Sequence, residues 1–297
     1  MPVSLGSAGV IVSANWKCCM LISDKAPEAP SVALLTFVLE EHHCVILEDW
    51  IAFFDHPIAE LVVHLGKDPG IETRVRQLCE AHGIRLHDMG RTTPRETTDS
   101  EQQLLEKQFD AVTADLGCVV RLDTIPYRAR NVAWQDAALA LMKETGACFM
   151  TGSTLPYRAD RPTARPEFML TQSISNCFLV IQPEIWRTLQ AGTQDSESKY
   201  GRFLVEGAAE DYVAENGLWG LRLVNGEDIR IFHCQEWGLR LLRIRDSFRK
   251  GHRISPFLRG YQDDYLYEKA RYYMQRREPL LRRARVFLGY WRRRLFN

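Results

Sequence analysis

The 297-residue sequence has no apolar stretch of the roughly 18 residues that a membrane-spanning helix needs, and no glycine period of the collagen kind. Its eight cysteines, at 18, 19, 44, 79, 118, 148, 177 and 234, make no CxxC pair and no metal-ligand spacing. Neither a zinc ribbon nor a disulfide framework is indicated. Most of these cysteines sit inside apolar runs, as buried free thiols in a reducing compartment would. There is no Gly-rich phosphate loop, which counts against the usual nucleotidyltransferase. The opening MPVSLGSAGVIVSANWKCCMLI lacks a basic segment at its start and carries Lys17, so it does not read as a cleaved secretion signal. Net charge is lacking too, with 38 Lys+Arg against 38 Asp+Glu.

What is present is a composition 45% hydrophobic and 26% charged, enough to bury a sizeable core in one large or two small domains. The zero charge is a sum of two opposed parts. Residues 238–297 hold 17 Lys+Arg and 5 Asp+Glu, net +12, which leaves −12 on residues 1–237. An acidic body argues against a whole-chain nucleic-acid binder, and no nucleic-acid partner is expected. The basic tail is free to meet phosphate or anionic lipid.

Along the chain, short apolar runs alternate with amphipathic stretches. SVALLTFVL at 31–39 reads as a strand, VILEDWIAFF at 45–54 as a helix, ELVVHLG at 60–66 as a strand, 71–82 as a helix stopped by Gly83, and IRLHDM at 84–89 as a strand. A polar segment at 91–101 leads into a helix over 102–107. GCVVRLDTIPYR at 117–128 reads as one strand ended by Pro126, followed by a helix over 132–144 and a strand at 147–152. Strand-helix units in series imply crossover connections and a mainly parallel sheet with helices on both faces. Such sheets bind ligands beyond the carboxyl ends of their strands, so Leu39-Glu40, Lys67-Asp68 and Asp123 should border one crevice. Further on, 153–168 reads as an ordered loop, 176–186 as a strand then a helix start, and Glu210-Asp211 as the opening of a helix beginning near Ala208. A strand ends at His233, and the chain is helical and basic beyond it. His42-His43 read as solvated loop residues.

The segment VALLTFVLEEHHCVILEDWIAFFDHPIAELVVHLGKD resembles the opening β-α-β of glycosyltransferases of the A-type fold, the nucleotide-sugar-dependent class related to glycosyltransferase family 2. Later segments follow in that family's order over about residues 31–237: an acidic strand end at Leu122-Asp123-Thr124, an apolar strand at 177–182, the Glu210-Asp211 pair, and a strand-end His233. The resemblance implies a single Rossmann-like α/β domain over 31–237, between an N-terminal extension at 1–30 and a basic helical extension at 238–297. It implies transfer of a sugar from a nucleotide-sugar donor to a saccharide or lipid-linked acceptor, as in polysaccharide or glycolipid assembly, with inversion at the anomeric carbon.

A departing nucleotide diphosphate gathers negative charge, which a divalent cation or fixed positive groups must stabilise. The family's Asp-x-Asp motif supplies ribose and metal contacts. The stretch Asp123-Thr124-Ile125 keeps one aspartate, which leaves Asp123, helped by His233, as the contact to Mn or Mg. Asp211 matches the family's general base, and Leu39, Glu40, Lys67 and Asp68 match the border of the nucleotide. In the tail, Leu281, Ala284, Leu288, Trp291 and Leu295 share one helix face among arginines. Residues 279–297 could therefore hold a cytoplasmic enzyme at an anionic membrane surface or pack on the acidic body. The alternative to an enzyme is a non-catalytic module of this fold that binds through its basic tail.

Overall fold

The structure is a computed structural model that describes residues 29–152, 160–191, 204–225, 228–233 and 237–250. The first units are β1 (Val32–Val38), α1 (Glu41–Phe53), β2 (Glu60–Leu65), α2 (Pro69–His82), β3 (Arg85–Arg91), α3 (Pro94–Ala111) and β4 (Leu116–Val120). They are followed by β5 (Thr124–Arg128), α4 (Gln135–Thr145), β6 (Phe149–Thr151), β7 (Arg161–Pro162), β8 (Phe168–Thr171), β9 (Phe178–Ile181) and α5 (Pro183–Ala191). The last are α6 (Leu204–Glu215), β10 (Gly220–Leu223), β11 (Ile229–His233) and α7 (Gly238–Arg249).

Nine strands form one sheet in the order β3-β2-β1-β4-β9-β6-β10-β8-β7, and β11 pairs with β5 in a separate ribbon. β3, β2, β1 and β4 are mutually parallel. β9 runs antiparallel to both β4 and β6, so β6 shares the direction of β4, and β10 follows β6. β8 opposes β10, and β7 opposes β8. By direction the sheet is mainly parallel, as the alternating pattern predicts, with β8 and β9 reversed. The chain leaves β1 on one side for β2 and later places β4 on the other. The order therefore reverses between β1 and β4, which is where open α/β sheets take their ligands.

Alternation along the strands builds two cores, one on each face. From β1, Val32, Leu34 and Val38 join one cluster with Trp50 and Phe53 of α1, Val75 of α2, Leu141 of α4 and Phe248 of α7. Ala33 and Leu35 turn to the other, with Leu105 and Phe109 of α3, Trp186 of α5 and Val213 of α6. Each fully buried aromatic or branched side chain stabilises the fold by roughly 2–3 kcal/mol.

Three elements differ from their sequence readings, each for a local reason. The polar 91–101 segment is the first half of α3: the Thr93 side chain accepts from the Glu96 N–H at 3.2 Å, Pro94 takes the first turn, and the helix kinks at Ser100. The expected single strand over 117–128 is two, because the chain leaves the main sheet at Arg121 and Pro126 lies in the β5–β11 ribbon, opposite Ile231. α6 begins at Leu204, so Glu210 and Asp211 lie in its middle and gain nothing from a helix N-terminus.

The first helix of the basic tail, α7, packs on the acidic body. Arg245 and Arg249 both reach the buried Asp49 of α1, with Arg245 Nη2 at 2.7 Å from Oδ1. Phe248 stacks on Phe232 of β11 at 5.7 Å. The tail segment 279–297 lies outside the described residues.

Candidate functional site

Pairing of β1 with β4 brings the ends of two strands together, and the residues that follow them form the site. Beyond β1, Gly66 lets β2 approach closely: a Cβ there would lie 2.3 Å from the Leu39 carbonyl oxygen. The Gly66 N–H donates to the Val38 carbonyl at 2.8 Å. Leu39-Glu40 then turn into α1, whose first turn carries His42 and His43.

His43 is 2% exposed, so it is a wall of the site rather than a solvated loop residue. The Leu39 N–H donates to its Nδ1 at 3.0 Å, which makes Nδ1 the acceptor and puts the imidazole proton on Nε2. Burial, then the field of His42, holds the ring down at about 3 against the pull of Asp123, so it is neutral. Nε2 has no hydrogen-bond partner among the described residues. His42 is held from two sides, with Glu40 Oε2 3.2 Å from its Nδ1 and the Gly238 N–H donating to its Nε2 at 3.1 Å. Trp237, 45% exposed, lies with its ring 5.0 Å from that of His43.

Beyond β4 the chain runs Arg121-Leu122-Asp123. The β5–β11 ribbon sets His233 opposite Thr124, and this delivers His233 Nε2 to 3.1 Å from Asp123 Oδ2. Burial pushes the Asp123 carboxyl up, but the charge and hydrogen bond of His233, with Arg121 and His43 adding, bring it down to about 2. His233 is held well above the ordinary imidazole range: burial works against its charge, and the Cys177 sulfur and the Asp123 carboxylate outweigh burial. Arg121 Nη2 grips both carboxylate oxygens of Glu101 on α3, at 2.7 and 2.8 Å, and the arginine side chain is 39% exposed. The Nε and Nη1 groups of that guanidinium have no partner among the described residues. Two more buried polar atoms, Thr124 Oγ1 next in the chain to Asp123 and Asn176 Oδ1 next to Cys177, also lack partners among the described residues. Buried polar groups in folded proteins are nearly always satisfied, so a cluster of them marks a place for a ligand or ordered water.

The remaining expected residues lie further out. Lys67 and Asp68 follow β2 and are exposed. The Asp68 side chain accepts from the Gly70 N–H at 2.8 Å and caps α2, and neither residue bonds to Asp123, His233 or Arg121. On α6, Glu206 Oε1 accepts from the Asn176 N–H and Glu210 Oε1 from the Ile174 N–H, both at 2.9 Å. The helix thereby anchors the turn that presents Cys177 to His233. Asp211 follows Glu210 on that helix and is half-buried.

The donor set does not match a cation held by an acidic pair. Two residues after Asp123, Ile125 is fully buried in the apolar core, and two residues before it stands Arg121. Among the described residues no group of three or more His, Cys, Asp or Glu could hold an ion. The Asp123–His233 pair therefore binds itself before it binds a metal.

No family profile and no curated protein matches the chain. Among solved structures, a mannosyltransferase from Pyrobaculum calidifontis in complex with GDP-Man and Mn2+ is 16% identical, with 89% of this chain and 78% of that one covered, at a TM-score of 0.47. A UDP-glucose pyrophosphorylase complexed with UDP-glucose is 6% identical over 75% of this chain and 100% of that one, also at 0.47. A UTP-bound UGPase from Acinetobacter baumannii is 10% identical over 76% and 95%, at 0.46. These likenesses are partial, and the fold and the site stand on the chain's own geometry. Among the described residues no helix is long and apolar enough to cross a membrane.

Proposed function

We propose that the chain is a nucleotide-sugar-dependent glycosyltransferase acting at the crevice between the ends of β1 and β4. The observation that carries this is the convergence, at the sheet's switch point, of Leu39-Glu40, His43, Arg121, Asp123 and His233 around buried polar atoms that have no partner among the described residues. The nucleotide-sugar would lie along this crevice, with its diphosphate toward Arg121 and His43 and its sugar toward the turn held by α6. Asp211 would take the proton of the acceptor hydroxyl as its oxygen attacks the anomeric carbon and the nucleotide diphosphate leaves on the opposite side, which inverts the centre. The acceptor would be a saccharide or a lipid-linked saccharide, met in the cytoplasm or at the inner membrane face. The expectation of Mn or Mg at Asp123 and His233 becomes an arm of the test.

Calorimetric titration with a panel of nucleoside diphosphates, with and without Mn, tests the donor site. Binding of at least one of them is expected, and no binding in either condition would leave the non-catalytic module as the reading. Asp211→Asn should abolish donor turnover while leaving donor affinity within about twofold. Unchanged turnover would remove Asp211 from the chemistry.

A further inference from the structure

We infer that the diphosphate of the donor is held by the remaining N–H groups and the charge of the Arg121 guanidinium, so that this chain binds its nucleotide without a divalent cation. The inference rests on the donor-site reading above and names the group that does the work there. A cation-dependent site of this kind would need carboxylates facing the phosphates. Here the position two residues ahead of Asp123 carries a positive charge, and Asp123 itself is paired with His233 at 3.1 Å. Glu101 holds Arg121 by Nη2 alone. Among the described residues that leaves the Nε–H and the Nη1–H groups, which point to different sides of the guanidinium plane and can each donate to a separate phosphate oxygen.

The rest of the surroundings favour an anion over a cation. His43 presents an Nε2–H donor with no partner among the described residues, from a buried ring fixed by the Leu39 N–H. Asp123 and Glu101 are each matched by a cation, His233 and Arg121 respectively, so neither carboxylate is left to repel an incoming phosphate. The preceding anchor is rigid as well: the Arg121 N–H points at the Cys177 carbonyl at 3.4 Å, tying the end of β4 to the start of β9. A guanidinium fixed by a carboxylate on one side and open on the other loses little side-chain freedom on binding.

Affinity for the best nucleoside diphosphate and for its parent nucleoside would be measured by calorimetry in EDTA and in Mn, for wild type, Arg121→Lys and the double variant Arg121→Ala with Glu101→Gln. The double variant avoids leaving a lone buried carboxylate, and thermal melts check that each variant folds. The inference expects wild-type diphosphate affinity to change less than twofold between EDTA and Mn. It expects a loss of at least tenfold in the double variant, an intermediate loss in Arg121→Lys, and nucleoside affinity unchanged throughout. Diphosphate binding that requires Mn and is indifferent to Arg121 would overturn the inference while leaving the donor site standing. An equal loss for nucleoside and diphosphate would show Arg121 to be structural and overturn it too. Absence of any nucleotide binding in wild type would overturn the donor site and this inference together.

Discussion

Two aspartates of this molecule, the buried Asp49 and the half-buried Asp123, are held by cations, and they differ in what surrounds them. Asp49 on α1 is gripped by Arg245 and Arg249 of α7, and the aromatic stack of Phe232 on Phe248 closes the same contact. Asp123 is held by His233, but its neighbours leave His43 Nε2, Thr124 Oγ1 and the Nε and Nη1 groups of Arg121 without partners among the described residues. The first arrangement is complete in the free protein and serves the fold. The second leaves polar atoms open among the described residues, as a place that takes a ligand or ordered water does.

Breaking the closed pair should show the largest effect on stability. Asp49→Ala leaves two arginines facing a vacated position. It should lower the unfolding free energy by about 2–3 kcal/mol, less than a fully buried pair would lose because Arg249 is 40% exposed, as read by urea denaturation. Donor affinity should hardly move, and a large loss of affinity there would blur the contrast.

Titration of the open pair should come next, at about 2 kcal/mol on the acid side. Asp123 titrates near 2 in the fold, so its contribution is full above the ordinary carboxylate range near 4 and is lost as pH falls through about 2. His233 is raised, so its contribution is full below the ordinary imidazole value of about 6.5 and is lost as pH climbs through its elevated value. Stability from this pair should therefore be greatest between about pH 4 and pH 6.5. His233→Gln should flatten the alkaline limb of a denaturation-midpoint series, and an alkaline limb unchanged in that variant would contradict the pairing.

Thr124→Val replaces a buried hydroxyl that has no partner among the described residues by an isosteric methyl. It should stabilise the free protein by up to about 1 kcal/mol while weakening donor binding. A destabilised, fully binding variant would place Thr124 with the scaffold. The smallest change is expected from Arg249→Gln, roughly 0.5–1 kcal/mol in thermal melts, since Arg245 keeps Asp49 paired.

Much of the fold is legible because its cause is local. The apolar runs of β1, β2 and β9 are readable since strands buried on both faces carry no alternation to obscure them. The start of α2 is written in Asp68-Pro69 and its end in Gly83, which adopts the left-handed conformation at φ 66°. α3 is harder to see because its first turn is polar and faces solvent, although Thr93-Pro94 with Glu96 is a cap signature that spacing alone could have found. The split of β4 from β5 depends on β11, which pairs across more than a hundred residues and leaves no mark near Arg121.

In the site, Asp123 and His233 are visible in the sequence as strand-end residues in a familiar order, while their contact is a product of the ribbon. Arg121, Cys177 and His43 were not legible as site residues. The one local signal is the charge of Arg121 placed straight after the buried LGCVV strand, a position that water-avoiding packing would not fill without a partner. His43 looks like a loop residue until α1 is seen to begin at Glu41, which turns the imidazole inward. Lys67 and Asp68 lie at the expected strand end, and the turn there has its own use for Asp68 as a helix cap.

The central claim is that the incomplete region around Asp123 is a nucleotide-sugar site, and a crystal structure of the protein with a bound nucleotide-sugar donor tests it most directly. The account predicts the nucleotide at the ends of β1 and β4, with a phosphate oxygen within hydrogen-bond distance of Arg121 and with His43 Nε2 newly partnered. A donor bound elsewhere on the molecule, with the crevice unchanged, would contradict it.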